Sequence, residues 1–397
     1  MDVLRLDPVS YLPDTLVEGL SSKIWTERYS DAGDFQFTSP KIDPVRNLIP
    51  QGSLLTLRDS EEVMIVETHT VKRDDKGVPT LTTVGRTFET FLENRSAVGE
   101  DNQEPWIPLQ QYTAAQIVSY LLWNYLVNAT GQDPSRAGVT KAVQDAVDGV
   151  VITDSTTFVD AVQDWTLNPG EIYKQLRDFL SLRGLGVRNI RPSGTTGNIV
   201  TFDTSGGGSR GTAAKVSTPD ISALRTDVYN GVDRTKDQDD VEPVIFTYGA
   251  GHIDQPQYLF SIRDLKNQAM VSSSLGNMDV WPGSGTTPPS TIPEGLARRI
   301  LYVDGGRMET GGDEDVFAAS VIQKALVELS KHNRAAAFDG AVSLDSPYKY
   351  GTHFGLGDAV SLIGEYGLET SMTVAEFVRT EDHDGDRGYP TLILSGE

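Results

Sequence analysis

Apolar and polar positions alternate with a period of two over most of the first hundred residues. Lys23–Tyr29, Phe35-Gln36-Phe37-Thr38, Leu54–Arg58, Val63–Lys72 and Thr80–Gly85 each read as a strand, since successive side chains of a strand face opposite sides of its sheet. Turn sequences separate them: Asp31-Ala32-Gly33-Asp34, Asp59-Ser60-Glu61 and the polar loop Arg73-Asp74-Asp75-Lys76-Gly77. Short strands at this spacing predict a small antiparallel sandwich or barrel over residues 1–100.

Past Glu100 the period lengthens. Thr113-x-x-Gln116 has the form of a capping box, and behind it Ile117, Val118, Leu121, Leu122, Tyr125 and Leu126 share one helical face. A second helix is predicted from Asn168, with Pro169 in its first turn, Glu171 three residues after the cap, a stripe of Ile172, Leu176, Phe179 and Leu180, and Gly184 as its end. Two strands flank a turn at Pro192–Gly197. Residues 101–205 therefore read as an α+β middle domain whose helical stripes are core. Ser205–Gly211 has the composition of a flexible linker. Strand-like segments return at Thr226–Arg234 and Val244–Tyr248, and Pro282–Pro293 is rich in loop residues. Asp313 can cap a third helix bearing Val316, Phe317, Ser320, Ala325, Leu326 and Leu329, and Ala341–Glu397 is again strands and hairpins.

The last segment looks like a second copy of residues 51–85. Gly52-Ser53-Leu54-Leu55-Thr56-Leu57 lies against Gly357-Asp358-Ala359-Val360-Ser361-Leu362. With a turn two residues longer, Ile65 meets Met372, Val71 meets Val378 and Asp75 meets Asp382. With a hairpin loop four residues longer, Val78-Pro79-Thr80-Leu81 meets Tyr389-Pro390-Thr391-Leu392 and Gly85 meets Gly396. The differences fall where sheets tolerate insertion. The expected fold is thus α+β, mainly β. It has a first β-barrel or sandwich (1–100), a middle domain (101–205), a second barrel assembled from 206–270 and 341–397, and a helix-containing insertion at 271–340.

Charge narrows the function. With 34 basic and 56 acidic residues the chain carries −22 at neutral pH, which opposes gripping a phosphate backbone yet suits a lumen along which DNA slides. There is no cysteine, so disulfides, thiolate metal sites and thiol nucleophiles are excluded. The start, Met1–Pro8, lacks the pattern of a signal peptide, and no apolar run approaches the roughly 20 residues of a membrane span.

Candidate chemistry is sparse. Gly207-Gly208-Ser209-Arg210-Gly211 matches the nucleophile-elbow spacing but lies in a run of glycines, and Thr212–Val216 is no convincing helix. Asp382-x-Asp384-x-Asp386 opens like a calcium loop, yet Arg387 and Ile393 stand where Gly and Glu are needed. His69, His252, His332, His353 and His383 are scattered. No catalytic, cofactor-binding or metal-ligating residue is expected, and no cofactor.

Tyr350-Gly351-Thr352, Leu356-Gly357-Asp358-Ala359-Val360, Arg379-Thr380-Glu381-Asp382 through Asp384-Gly385, and Tyr389-Pro390-Thr391-Leu392 resemble the C-terminal signature of siphophage minor tail proteins. That family is similar to contractile-phage baseplate hubs and to the N-terminal part of tail-associated proteins. Asp31-Ala32-Gly33-Asp34-Phe35, Gly52-Ser53 and Arg86-Thr87-Phe88 look like the same family's N-terminal layout. The resemblance implies a homotrimeric hub at the virion's tail tip, with two tail-tube-like barrels per subunit; with no catalytic motif in the sequence, no enzymatic activity is expected. Its implied partners are the hexameric distal tail ring, the tape measure protein, other minor tail or fibre proteins, and genome DNA passing without specific binding. A receptor- or carbohydrate-binding tip module, with Trp281 or Tyr302 exposed, is the alternative; a hydrolase resting on Ser209 is the second.

Overall fold

A computed structural model of the chain describes residues 1–8, 11–60, 62–73, 75, 77–97, 107–112, 114, 117, 118, 121, 150–153, 163–190, 199–203, 212–216, 224–308, 312–332, 335–342, 346–364, 369–383 and 385–394. The first unit holds β1 (Val3–Leu6), β2 (Pro13–Leu16), β3 (Ser22–Arg28), β4 (Asp34–Ser39), helix α1 (Ile42–Leu48), β5 (Leu54–Leu57), β6 (Met64–Arg73) and β7 (Pro79–Thr87). The middle region holds β8 (Ser96–Ala97), β9 (Ile107–Tyr112), β10 (Val150–Thr153), β11 (Gln163–Leu167), β12 (Gly170–Glu171), α2 (Ile172–Arg183), β13 (Gly186–Ile190), β14 (Ile199–Asp203), β15 (Thr212–Val216) and β16 (Leu224–Tyr229). Next come β17 (Asp233–Arg234), β18 (Ile245–Thr247), β19 (Ile253–Ser261), β20 (Gln268–Ser273), β21 (Gly276–Val280), β22 (Ile300–Gly306) and α3 (Glu314–Ser330). The chain closes with β23 (Ala335–Val342), β24 (Ala359–Ile363), β25 (Glu369–Asp382) and β26 (Gly385–Leu394).

Alternation places the core as the sequence pattern predicts. In β4, Phe35 and Phe37 point inward and stack with Trp25 of β3, at centroid distances of 5.8 and 6.4 Å. Helix α1 was not predicted. Pro44 in its first turn is the signal that would have found it, and Val45 and Ile49 anchor it in the same core.

One sheet joins both ends of the chain, in the order β19-β23-β26-β25-β3-β4-β7-β6-β5-β1-β2, with β24 on β25 and with β17 and β18 on β24. Inside it the order β3-β4-β7-β6-β5 recurs as β19-β23-β26-β25-β24, every pair antiparallel and the strands in the same chain order. The correspondence reaches single bonds. Gly52 N–H donates to Val66 O and Gly357 N–H to Val374 O, both at 2.8 Å; Val66 N–H donates to Ser53 O and Val374 N–H to Asp358 O, both at 2.9 Å. Both glycines are left-handed, at φ +86° and +83°. Each long strand then bulges at the same place, between Val66 and Thr68 and between Val374 and Glu376. An aromatic pair also repeats: Trp25 opposite Phe35, and Tyr258 opposite Phe338.

Several details of the expected alignment are corrected by the register, among them Val71, which faces Leu81 as Arg379 faces Gly388 and so corresponds to Arg379 and not to Val378. Leu54 faces Ile65 and Ala359 faces Thr373, so Ile65 corresponds to Thr373 and not to Met372. Val66 faces Gly85 and Val374 faces Leu392, so Gly85 corresponds to Leu392 and not to Gly396, which lies outside the described residues. The shared Pro-Thr-Leu is four positions out of register. The second hairpin keeps pairing out to Asp382↔Gly385, so residues that looked like extra loop belong to the ladder. The flanking strands differ as well: β1 runs antiparallel to β5, whereas β17 and β18 run parallel to β24.

The remaining strands redraw the expected boundaries. β15 and β16, in the segment expected to open the second barrel, pair instead in a five-stranded middle sheet, β13-β16-β10-β14-β15. β13 and β14 flank the expected turn at Pro192–Gly197, itself outside the described residues, but do not pair with each other. Ala335–Val342, expected mostly in the insertion, is a strand of the large sheet. β20, β21 and β22 form a separate three-stranded sheet. With α3 they occupy the point in the second unit where the first has only the Asp31–Asp34 turn.

Helix α2 begins at Ile172, four residues later than predicted, because the Gln175 side chain bonds the Asn168 backbone N–H (2.7 Å) and C=O (2.8 Å) and holds that segment outside the helix. Its stripe of Ile172, Leu176, Phe179 and Leu180 is buried with Ile117, Val118 and Leu121, and Gly184 ends it at φ +62°. The expected capping pair Thr113 and Gln116, and Leu122, Tyr125 and Leu126, lie outside the described residues, as does the Ser205–Gly211 segment. In α3, Asp313 caps as predicted, accepting from the N–H groups of Asp315 and Val316 at 2.8 and 3.2 Å. Phe317, Val321, Ala325 and Leu329 face the small sheet. Val327 enters the middle core, and Gln323 makes both hydrogen bonds to the Thr166 backbone. Serving two cores is why the apolar positions of this helix are spread so widely.

The paired glycines supply a test. A Cβ at Gly52 meets open space, whereas one at Gly357 falls 2.3–2.8 Å from the Tyr29 ring. Gly52→Ala is expected to cost about 1 kcal/mol from the left-handed backbone alone, and Gly357→Ala clearly more, read as denaturant midpoints at constant m-value.

Candidate functional site

Where β3 meets β25, six consecutive residues pair, from Arg28↔Glu376 to Lys23↔Glu381. This ladder is the seam between the two units, and charged groups line it. Arg28 donates to Glu376 and Asp34, both at 2.5 Å, and to Ala32 O at 2.7 Å. Lys23 Nζ lies 2.8 Å from Glu381, which also takes the amino group of Met1; Arg379 pairs with Asp59.

The middle region locks onto the seam through Tyr29. Its hydroxyl donates to Gly184 O at 2.8 Å, and burial pushes that hydroxyl up to about 12. Gly186 and Gly357 press against its ring from the middle region and from the second unit; a Cβ at either would overlap the ring. Beside it lie three buried glutamates. Glu27 accepts from Trp25 Nε1 (3.1 Å), Ser60 Oγ (2.6 Å) and Tyr350 OH (2.6 Å), so a strand of the first unit holds a side chain of the second. Tyr350 stacks on Phe377 of β25 at 3.9 Å. Glu89, in the 3₁₀ turn Phe88–Asn94, accepts from Thr87 Oγ1 (2.6 Å), from Asn189 Nδ2 (2.7 Å) and from Arg177 of α2, whose Nε donates to Tyr173 OH at 3.0 Å. Burial, and then the charges of Glu27 and Glu89, hold the Glu62 carboxyl well above the usual range; Arg188 and Arg177 oppose the shift. Chemically the arrangement is an interlock of three parts of the chain. A cleft of about 440 Å³ opens nearby between α2 and α3, lined among others by Trp165, Lys174, Asp178, Arg307, Lys324 and Glu328.

The sequence-derived candidates do not converge there. Ser209 and Asp384 lie outside the described residues. Asp382 and Asp386 flank the tip of the last hairpin, and no group of three or more potential metal ligands occurs among the described residues. His69 bonds Thr83 Oγ1 and the Ile49 carbonyl, His252 and His332 bond backbone carbonyls, and His353 accepts from Lys349 N–H. Trp281, expected at the surface under the carbohydrate-binding reading, is buried in the insertion; Tyr302 is 68% exposed. Sequence reasoning missed Glu27, Glu62, Glu89 and Arg177. Only Glu27 left a signal, standing two residues from Trp25 and hence on the core face of its strand.

The same architecture is found in phage tail proteins. A 43 kDa tail protein of prophage MuSo2 from Shewanella oneidensis superimposes with a TM-score of 0.54 at 14% identity, over 99% of this chain and 98% of that one. A tail protein from Neisseria meningitidis MC58 gives 0.54 at 12% identity, over 100% and 98%. The sequence model of the siphovirus ReqiPepy6 Gp37-like proteins matches residues 12–391, and the chain belongs to this family. No curated protein matches significantly. Family and fold give the chain a structural role in a phage tail.

The interlock predicts a pH dependence. Glu62 holds its proton more tightly folded than unfolded, so its contribution to stability is full in acid. It is lost as pH rises from the unfolded carboxylate range through the raised folded value. Glu62→Gln is expected to raise the melting temperature at pH 7 and to leave it nearly unchanged near pH 4, measured by thermal unfolding across that range.

Proposed function

We propose that the protein is the hub of the tail tip: three copies form a ring of six similar β-units that joins the tube and the distal tail ring to the tip components and lets genome DNA pass. The observation that carries this reading is the repeated strand order, matched down to the left-handed Gly52 and Gly357 and the bulges after Val66 and Val374. Two like units in one chain let three chains present six similar faces to a six-fold ring. The charge of −22 supports the DNA-passage role, since an acidic wall repels the phosphate backbone. The middle sheet and the β20–α3 insertion then lie outside the ring, where they hold fibre or tape measure proteins.

No enzymatic role belongs to this reading: the buried carboxylates Glu27 and Glu89 are fully engaged with structural donors. Native mass spectrometry of the purified protein, and of the protein released from tails, is expected to give particles of three chains. A monomer or a dimer in both preparations overturns the hub reading.

A further inference from the structure

The seam inside one chain is a template for the contact between chains. Through the registers, β3 of the first unit corresponds to β19 of the second, with Trp25 matching Tyr258; β6 corresponds to β25, with Thr68 matching Glu376. Within the chain, β3 pairs with the outer half of β25. The two counterparts, β19 and the outer half of β6, have no such pairing among the described residues. β19 ends the large sheet, and β5 covers β6 only at Met64 and Ile65, with Gly52 and Ser53 reaching Val66. From Thr68 to Arg73 the outer edge of β6 has no backbone partner among the described residues.

The β19 edge is apolar where strand edges are ordinarily charged or covered, and the β6 edge offers one exposed apolar side chain, Val71, ahead of Lys72 and Arg73. Leu259 is 52% exposed, Phe260 58% and Val71 50%. The paired edges instead carry the Arg28–Glu376 and Lys23–Glu381 bridges. At the positions matching Arg28 and Glu376 the open edges have Ser261 and Thr68. At that position neither open edge brings a charge to be desolvated, Lys72 and Arg73 fall at the end of the contact beside Gln257 and Pro256, and both edges have apolar side chains to bury.

We infer that β19 of one chain adds, antiparallel, to the outer edge of β6 in the next copy, repeating the internal seam. The register follows from the template: Ser261 faces Thr68, Phe260 faces His69, Leu259 faces Thr70, Tyr258 faces Val71 and Gln257 faces Lys72. Pro256, which has no N–H to give a ladder, ends the pairing. The contact is head-to-tail, so it propagates around a ring instead of stopping at a dimer. This inference rests on the hub reading and supplies its subunit interface.

Because the chain has no cysteine, the register can be read by disulfide trapping. Residues directly opposite on antiparallel strands lie about 4.5–5.5 Å apart at Cα, within disulfide reach. In one chain β6 and β19 stand seven strands apart in the sheet, so a disulfide introduced between the positions of Thr70 and Leu259 can only join two copies. The full-length chain carrying both Thr70→Cys and Leu259→Cys is expected to run, after oxidation, as covalent dimers and trimers on a denaturing gel and to collapse to monomer on reduction; each single variant stays monomeric. A second variant, Leu259→Asp, is expected to weaken association at least 100-fold by native mass titration while leaving the far-ultraviolet spectrum unchanged. A three-chain particle that neither cross-links nor responds to Leu259→Asp overturns this strand pairing and leaves the hub reading standing. A protein that is monomeric at every concentration and in tails overturns both.

Discussion

Six residue pairs between β3 and β25 hold this molecule in its form. They join strands more than 340 residues apart in sequence, and so make one continuous sheet from two units that would otherwise each end in an open edge. A ladder of this kind tolerates little slippage, because a one-residue shift turns every side chain to the other face. Here a shift would expel Trp25 from its core and part Glu27 from Tyr350. The flanking ion pairs, Arg28 with Glu376 and Lys23 with Glu381, are spaced to match one register only.

The middle region is held by burial more than by backbone pairing. Tyr29 fills the space between two glycines, Gly186 and Gly357, contributed by different parts of the chain. Beside it, Glu89 and Arg177 form a buried ion pair. Such a pair adds little net stability over an apolar substitute, yet removing one partner leaves a stranded charge at about 3–5 kcal/mol. The seam's polar interior therefore specifies how the parts meet more than how strongly they adhere. Glu62, whose carboxyl is held above its usual range by burial and then by Glu27 and Glu89, shows the electrostatic tension in that arrangement.

Local pattern made much of this legible. Alternation located β3 to β7, the stripe and terminal glycine located α2, Asp313 located the start of α3, and the turn sequence at Gly52 and Gly357 located the duplication. What stayed hidden was set by pairing between distant segments. Pro-Thr-Leu in two hairpins suggested a register that the hydrogen bonds shift by four, because sequence similarity weighs residue identity whereas a ladder follows bulges and turn lengths. β16 overlaps a segment that reads as an ordinary strand and β15 does not read as one, and nothing local could say that both belong to the middle sheet. The buried glutamates were invisible for a related reason: a carboxylate in a strand looks exposed until donors from elsewhere in the chain, such as Tyr350 and Arg177, arrive beside it.

The two units differ most at one corner. After β3 the first unit turns within Asp31–Asp34, whereas after β19 the second carries a three-stranded sheet and a 17-residue helix before its next strand. The repeated ladders pass this corner undisturbed. It therefore acts as a grafting point, where the outline of the protein can be enlarged or trimmed without rewriting the sheet beneath. Change at the periphery and constancy at the centre are uncoupled by a single reversal of the chain.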